Sequence, residues 1–416
     1  HEVMSRCHFG FNLMKPDVCV GLTMKSVDYF RHDLPILNNI PADTAELVDR
    51  EQVGLNVGED TAARVVAMTA CACVRTSAGS LTRILTCQWC RPDMPPCCRA
   101  LCEDMTVEKQ ILILLAAYKG GRFIRPMVDS ILAQDVGGWR LILSDDGEDT
   151  APILQEYADK YPDKITHYRS GRRFGSAQKH FMHLLEQFGG QADYIMFSDQ
   201  DDVWHPDKVR LTLRLMEQAE TDPALPVLVH TDLRVVDGQL HEMDPSFQHY
   251  SGLDGHRLAL EQLLVQNVVT GCTMMINRSL ARLACRPVEE GDMLMHDWWL
   301  ALIAAAMGRA VFLDRATIDY RQHGGNVVGA KDPRSAGYVL QKLKGGAVRR
   351  SLVDTARQAG AFLSCYRQEL TPDQQALLAD YAAAPEKGKL ARLALYRRRG
   401  LWKYGLNRRI GQILWW

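Results

Sequence analysis

The chain is predicted to be an α/β protein built on a doubly wound, mostly parallel sheet of Rossmann-like type with a C-terminal helical extension. Three observations predict this. Short apolar runs recur between residues 111 and 199, amphipathic helical stretches separate them, and the last 85 residues read as helix. Strands that alternate with helices form right-handed βαβ units, whose parallel sheet is covered on both faces.

Taken in order, ILILLAAY (111–118) is the first strand, followed by a helix with Ile124, Met127, Val128, Ile131 and Leu132 on one face. LILSDD (141–146) is the second strand, with a helix near 150–160, and ITHYRS (165–170) the third. A helix carrying Ala177, Phe181, Leu184, Leu185 and Phe188 leads to the fourth strand, DYIMFSD (193–199). PVLVHTDL (226–233) and CTMMIN (272–277) read as further strands, and HDWWLALIAAAMG (296–308) as a largely buried helix. The expected organisation is a Cys-rich extension over 1–104, a main domain over 105–330 and a basic helical extension over 331–416.

With 416 residues and 47% apolar content, the chain is long enough for one large domain and smaller additions. Its 49 basic and 50 acidic residues nearly cancel, which argues against a dedicated nucleic-acid binder. The longest apolar stretches, 298–308 and 111–118, are shorter than the ~20 residues that cross a bilayer, so no spanning helix is expected. The start at His1 has no basic segment followed by an apolar one, and a cytoplasmic location is the default expectation.

Of the twelve cysteines, Cys7, Cys19, Cys71, Cys73, Cys87, Cys90, Cys97, Cys98 and Cys102 precede residue 105. Cys87 and Cys90 with Cys98 and Cys102 can be written as a zinc clamp, although the run between them is short and holds another Cys. The plainer expectation is an upstream extension, with Met105 as an alternative start.

In an open parallel sheet, ligands bind beyond the carboxyl ends of the strands. The first strand ends at Ala117 and Tyr118, before Lys119, Gly120 and Gly121, where small residues would let a planar base approach the backbone; a simple turn is the other reading. The second ends in Ser144, Asp145, Asp146 and Gly147, which is either a turn or a carboxylate set for the imide NH of uracil or thymine. The fourth ends in FSDQDDVW, with Asp199, Asp201 and Asp202 within four residues. Carboxylates this close repel one another unless a cation or proton compensates, and Mg²⁺ or Mn²⁺ does so while leaving positions for phosphate oxygens.

The blocks LLAAYKGGRFI, SILAQ, LILSDDGE, RRFGSAQKHF, FSDQDDVWHPDKV, NVVTGCTMMINRSL, HDWWLALIA and YRQHGGNVVG run in order over about 108–330. Together they resemble the inverting glycosyltransferases of family 2, with the GT-A fold, and within them the rhamnosyltransferase-like branch of bacterial surface-polysaccharide synthesis. The resemblance implies that Asp199 and Asp201 occupy the DxD position, with Asp201 the more direct metal ligand. It further implies that Asp145 or Asp146 holds the base, that Asp297 is the catalytic base, and that His323 meets the metal or diphosphate. Arg172 and Arg173 would face phosphate or solvent. Gly271 would form the acceptor-side wall, with Trp298 and Trp299 as sugar-stacking or core residues.

The reaction so implied is a single displacement in which an acceptor hydroxyl attacks the anomeric carbon opposite the departing nucleoside diphosphate. The expected donor is a nucleotide sugar, with dTDP-rhamnose first and UDP sugars next, and the acceptor a glycan or lipid-linked glycan. The rivals are a nucleotidyltransferase acting on a sugar phosphate, whose Gly-rich, Arg-containing first loop is absent, and a non-catalytic sugar- or lipid-binding module. Residues 387–416 carry nine Lys or Arg among Leu, Tyr, Trp and Ile, which suits either a membrane surface or a helix packed on the domain.

Overall fold

The computed structural model describes residues 109–147, 149–289, 291–322 and 346–415, together with five short strands before residue 109. The chain divides into two compact units, His1–Glu108 and Lys109–Trp416. In the first, Gly10–Asn12, Ile36–Asn38 and Gly54–Asn56 form a parallel three-stranded sheet, and Val74–Arg75 pairs with Leu81–Thr82. The cysteines proposed above for zinc lie outside the described residues.

Among the described residues, the second unit has nine strands: β1 (Ile111–Ala117), β2 (Trp139–Asp145), β3 (Ile165–His167), β4 (Tyr194–Ser198), β5 (Val203–Trp204), β6 (Val227–Val236), β7 (Glu242–Asp244), β8 (Met274–Asn277) and β9 (Arg309–Arg321). They are ordered β5-β9-β6-β8-β4-β1-β2-β3, with β7 also paired to β6. β3, β2, β1 and β4 run parallel, as do β6 and β9, and β8 lies antiparallel between the two groups. This is the mostly parallel α/β sheet that the alternation predicted. The reversal of β8 brings its N-terminal end to the edge where β1, β2, β4, β6 and β9 end.

The apolar run of β1 shows why this sheet is covered twice. Ile111, Ile113 and Leu115 point into one core layer and Leu112 and Leu114 into the other, as the two-residue period of a strand requires. The first layer receives Met127 of α1 (Ile124–Leu132), Leu154 of α2 (Ala151–Lys160) and Val209 of α4 (Lys208–Ala219). The second receives Phe181 of α3 (Ala177–Phe188), Leu263 of α6 (Leu260–Val265), Leu280 of α7 (Arg278–Ala284) and Trp299 of α8 (His296–Met307). The short α5 (Phe247–Ser251) follows β7.

The C-terminal helices α9 (Gly346–Tyr366), α10 (Pro372–Ala382) and α11 (Lys389–Arg399) belong to the second layer: Ala356, Phe362, Leu378 and Tyr396 are buried in it. The last helix is α12 (Leu406–Trp415). Among the described residues no helix is long and apolar enough to cross a membrane.

Candidate active site

The site lies at the carboxyl edge of the sheet, where three loops meet. The loop after β1 is tied to the acidic loop by Gln200, whose side-chain amide forms two hydrogen bonds with the backbone of Tyr118: Tyr118 N donates to Oε1 (2.6 Å) and Nε2 donates to Tyr118 O (2.7 Å). A Cβ at Gly120 would collide with Gln200 Oε1, so this approach requires glycine. The Tyr118 ring is half exposed, and Ala117 is buried with its carbonyl accepting from Asp146 N (2.8 Å).

Asp145 and Asp146 are both committed to backbone. Asp145 accepts from Gly147 N (2.9 Å) and Thr150 N (2.8 Å), which fixes the turn into α2. Asp146 accepts from Phe174 N and Gly175 N, which folds the RRFG loop over the end of β2. A carboxylate has four lone-pair directions, so each keeps acceptor capacity beyond these bonds. Asp145 and Asp146 line a cleft of about 1150 Å³ whose basic wall is Arg169, Arg172 and Arg173. Arg173 is exposed there, while Arg172 bonds His183 Nδ1 at 2.7 Å.

The acidic loop runs from the end of β4 to β5, which pairs with β9 on the far side of the sheet, so both of its ends are anchored. Asp199, Asp202 and Cys272 each offer one ligand atom within 4.8 Å of the others. Burial pushes the carboxyls of Asp199 and Asp202 above their usual range, and neighbouring carboxylates push them further: Asp201 and Asp297 for Asp199, Asp201 and Asp199 for Asp202. Asp202 Oδ1 accepts from Arg321 N (3.2 Å), and its Oδ2 is buried with no hydrogen-bond partner among the described residues. Arg321 Nε also donates to the carbonyl of Asp201 (2.9 Å), so the end of β9 clasps the loop. Of the residues implied as metal ligands, Asp199 is in the three-residue cluster, Asp201 is adjacent to it, and His323 lies outside the described residues.

Behind the cluster sits Lys208, fully buried, with Nζ 4.7 Å from the centre of the Trp204 ring and no hydrogen-bond partner among the described residues. Burial lowers its pKa to about 8, and Cys272 and Asp202 oppose that shift. Lys208 therefore places a buried amine close enough to Asp202 to feel its charge, with no ion pair to it among the described residues. Burial raises the Cys272 thiol well above its ordinary value, which keeps it neutral.

Asp297, in the first turn of α8, is buried and held by three donors. Asn267 Nδ2 (3.1 Å) and Trp298 N (2.6 Å) donate to Oδ1, and Gly271 N (3.1 Å) donates to Oδ2. Burial lifts its pKa to about 6, against the lowering effect of those donors. Gly271 is squeezed between two neighbours: a Cβ there would stand 2.7 Å from His296 Nε2. His296 is itself buried against Phe181 and Phe197, and burial lowers its pKa to about 3, so it is a neutral wall beside Asp297.

The two tryptophans separate. Trp298 is partly buried, with its indole NH on the carbonyl of Leu263 (2.6 Å). Trp299 is fully buried against Phe362 and Tyr366 of α9, which corrects the expectation of an acceptor-side role: no face of its ring is open to a sugar. Gln200, Lys208, Asn267 and Arg321 were not singled out from the sequence. Gln200 and Lys208 stand inside FSDQDDVWHPDKV, but nothing in a single sequence says that either side chain turns inward.

Residues 112–283 match the family model described as Glycosyl transferase family 2. The chain is 27% identical over 233 residues to the dTDP-rhamnosyl transferase RfbG of Shigella flexneri, covering 54% of this chain and 76% of RfbG. It is 22% identical over 181 residues to the uncharacterized glycosyltransferase RT0329 of Rickettsia typhi, spanning 52% of that protein and 42% of this one. Among solved structures, S. aureus TarS 1–349 overlays with a TM-score of 0.42 at 14% identity, over 73% of this chain and 90% of that one. The mannosyltransferase PcManGT of Pyrobaculum calidifontis, in complex with GDP-Man and Mn²⁺, overlays with a TM-score of 0.41 at 18% identity, over 73% and 84% of the two chains. Residues 112–283 thus carry a glycosyltransferase family 2 domain, and the chain is a glycosyltransferase.

Proposed function

We propose that the unit Lys109–Trp416 catalyses inverting, divalent-metal-assisted transfer of a sugar from a nucleoside diphosphate to a hydroxyl of a glycan or lipid-linked glycan. The observation that carries this reading is the pairing of a buried, triply held carboxylate with an acidic cluster near enough to feel it: Asp297 is among the charges that raise Asp199. A base and a leaving-group site on opposite sides of one reacting carbon are what a single displacement needs.

Each residue then has a role. Asp297 accepts the proton of the attacking hydroxyl, and the NH groups of Gly271 and Trp298 with the amide of Asn267 aim its carboxylate. Asp199 and Asp201 hold the diphosphate end of the donor through Mg²⁺ or Mn²⁺, with Asp202 behind them. The residues suit such an ion: they are hard oxygen donors, mutually repulsive and partly desolvated, and a buried Asp202 oxygen lacks a hydrogen-bond partner among the described residues. When bound, the ion stabilises charge on the departing diphosphate. Asp145, Asp146 and Arg173 line the cleft that would take the donor, Ala117 and Tyr118 stand at the end of β1 beside Asp146, and Gly271 and Trp298 would face the acceptor. Similarity to RfbG makes dTDP-rhamnose the first donor to try.

A panel of nucleotide sugars with Mg²⁺, Mn²⁺ or EDTA tests this by thermal shift and by release of nucleoside diphosphate. The expected result is metal-dependent stabilisation and turnover with one donor. Turnover unaffected by EDTA would overturn the metal assignment, and release of pyrophosphate would point to nucleotidyl transfer.

A further inference from the structure

The last helix, α12, turns a wholly apolar stripe to solvent. Leu406, Ile410, Ile413 and Leu414 are 73%, 43%, 37% and 56% exposed, at a spacing that puts them within about 100° of one another around the helix. Its other side is anchored inward: Gln412 is buried and bonds Leu401 O (2.8 Å) and Lys403 N (3.1 Å). Arg408 donates to the carbonyls of Ser251 and Gly252. The stripe is therefore held outward by the fold.

The terminal segment itself carries charge of one sign. From 387 to 416 there is no Asp or Glu, against nine Lys or Arg. Some of these cations serve the fold: Arg398 and Arg399 pair with Asp380. Lys389, Arg397 and Arg409 are exposed, and Arg409 borders the stripe. An apolar stripe edged by cations complements an anionic lipid surface, where the side chains enter the acyl boundary and the cations meet headgroups. A second copy of this chain fits it poorly. Four side chains on one short helix fall well below the ~1,000 Å² of a stable interface, and two such faces would bring like charges together.

The stripe is also tied to the catalytic wall. Trp402 O accepts from Arg257 (2.8 Å), and Tyr404 N donates to Gln266 Oε1 (2.7 Å). The next residue, Asn267, holds Asp297. We infer that α12 docks the protein on an anionic bilayer surface through Leu406, Ile410, Ile413 and Leu414, and that the 402–404 contacts bring the Asp297 side of the site to a lipid-linked acceptor. The second half of this inference rests on the function proposed above; the docking itself does not.

The test is co-sedimentation of the full chain with vesicles of phosphatidylglycerol and phosphatidylcholine, against vesicles of phosphatidylcholine alone. The Leu406→Ser/Ile410→Ser/Leu414→Ser variant is run beside it, with thermal unfolding to check that the fold survives. Binding to the anionic vesicles is expected to fall about tenfold or more in the variant, on neutral vesicles and at high salt. Equal sedimentation of variant and parent, or a parent that ignores anionic vesicles, overturns the inference. So does a parent that is dimeric by light scattering and becomes monomeric in the variant without binding vesicles. Release of nucleoside diphosphate in vesicle-free solution separates the two readings. Turnover retained by the variant supports a docking face distinct from the chemistry, whereas a parent that binds vesicles but turns over no nucleotide sugar keeps the docking and removes the proposed reaction.

Discussion

The side chain of Gln200 is hydrogen-bonded twice to the backbone of Tyr118, at 2.6 and 2.7 Å, so the first strand's loop and the acidic loop move as one body. In the proposed function, these two bonds join the base-side edge of the donor cleft to the diphosphate side. Gln200→Ala removes both bonds. At about 1 kcal/mol each, donor affinity is expected to weaken roughly tenfold or somewhat more, read by calorimetric titration with the nucleotide sugar. Gly120→Ala should do the same, because its Cβ displaces Gln200. Unchanged donor affinity in both variants would show that the loops are held elsewhere.

Asp297 gives a prediction in pH. Burial favours its protonated form and lifts its pKa to about 6, while in the proposed reaction the proton acceptor is its carboxylate. As pH falls through about 6 the active form is lost, so kcat/KM should drop approximately tenfold per unit below that point and level off above it. Asp297→Asn should lower kcat by about 10²- to 10⁴-fold with donor affinity kept. A pH profile in the variant with the same acid limb as the parent would assign that limb to another group.

The fold was legible because its signals are local and repeated. The run ILILLAA and the face Ile124, Met127, Val128 and Ile131 each state their period within a few residues, and the structure uses them as β1 and α1. The reversal of β8 was not legible, since an apolar strand buried on both faces reads the same in either direction. Within the site, the sequence brought out residues by charge and spacing. It could not show that Asp145 and Asp146 spend bonds on their own loops, or that Asn267 folds back on Asp297 from 30 positions away. Those facts depend on long-range contacts, and Lys208 carries the same lesson: a lysine at a helix start is ordinarily solvated, and only the packing of α4 under the acidic loop buries it.

The adjacent tryptophans should respond differently. Trp299→Ala empties a core position between α8 and α9 and is expected to cost about 3–5 kcal/mol of stability, seen as a lower Tm. Trp298→Phe keeps most of the ring but loses the bond to Leu263 O, which should change the acceptor KM by severalfold and leave donor affinity alone. If Trp299→Ala instead kept its Tm and lost acceptor binding, the buried placement of Trp299 would be wrong.

Lys208 links the acidic cluster to metal dependence. Its amine is fully buried and close enough to Asp202 for its pKa to be raised by it, while burial lowers that pKa to about 8, and the Asp202 carboxyl is itself raised by burial and by its neighbours. Lys208→Met keeps the volume and removes the charge, leaving Asp202 to share a desolvated site with Asp199 and no internal cation. No ion pair joins Lys208 to Asp202 among the described residues, so the loss is expected to be smaller than the about 3–5 kcal/mol of a broken buried ion pair. A bound divalent ion would restore compensation from the other side of the carboxylates, so the penalty should shrink when metal is present. The prediction is therefore a difference of differences: Tm falls more for Lys208→Met than for the parent in EDTA, and Mn²⁺ raises it more. A Mn²⁺ shift no larger in the variant than in the parent would mean that Lys208 and the metal do not act on the same carboxylates. Lys208 would then be packing beneath Trp204 and nothing more.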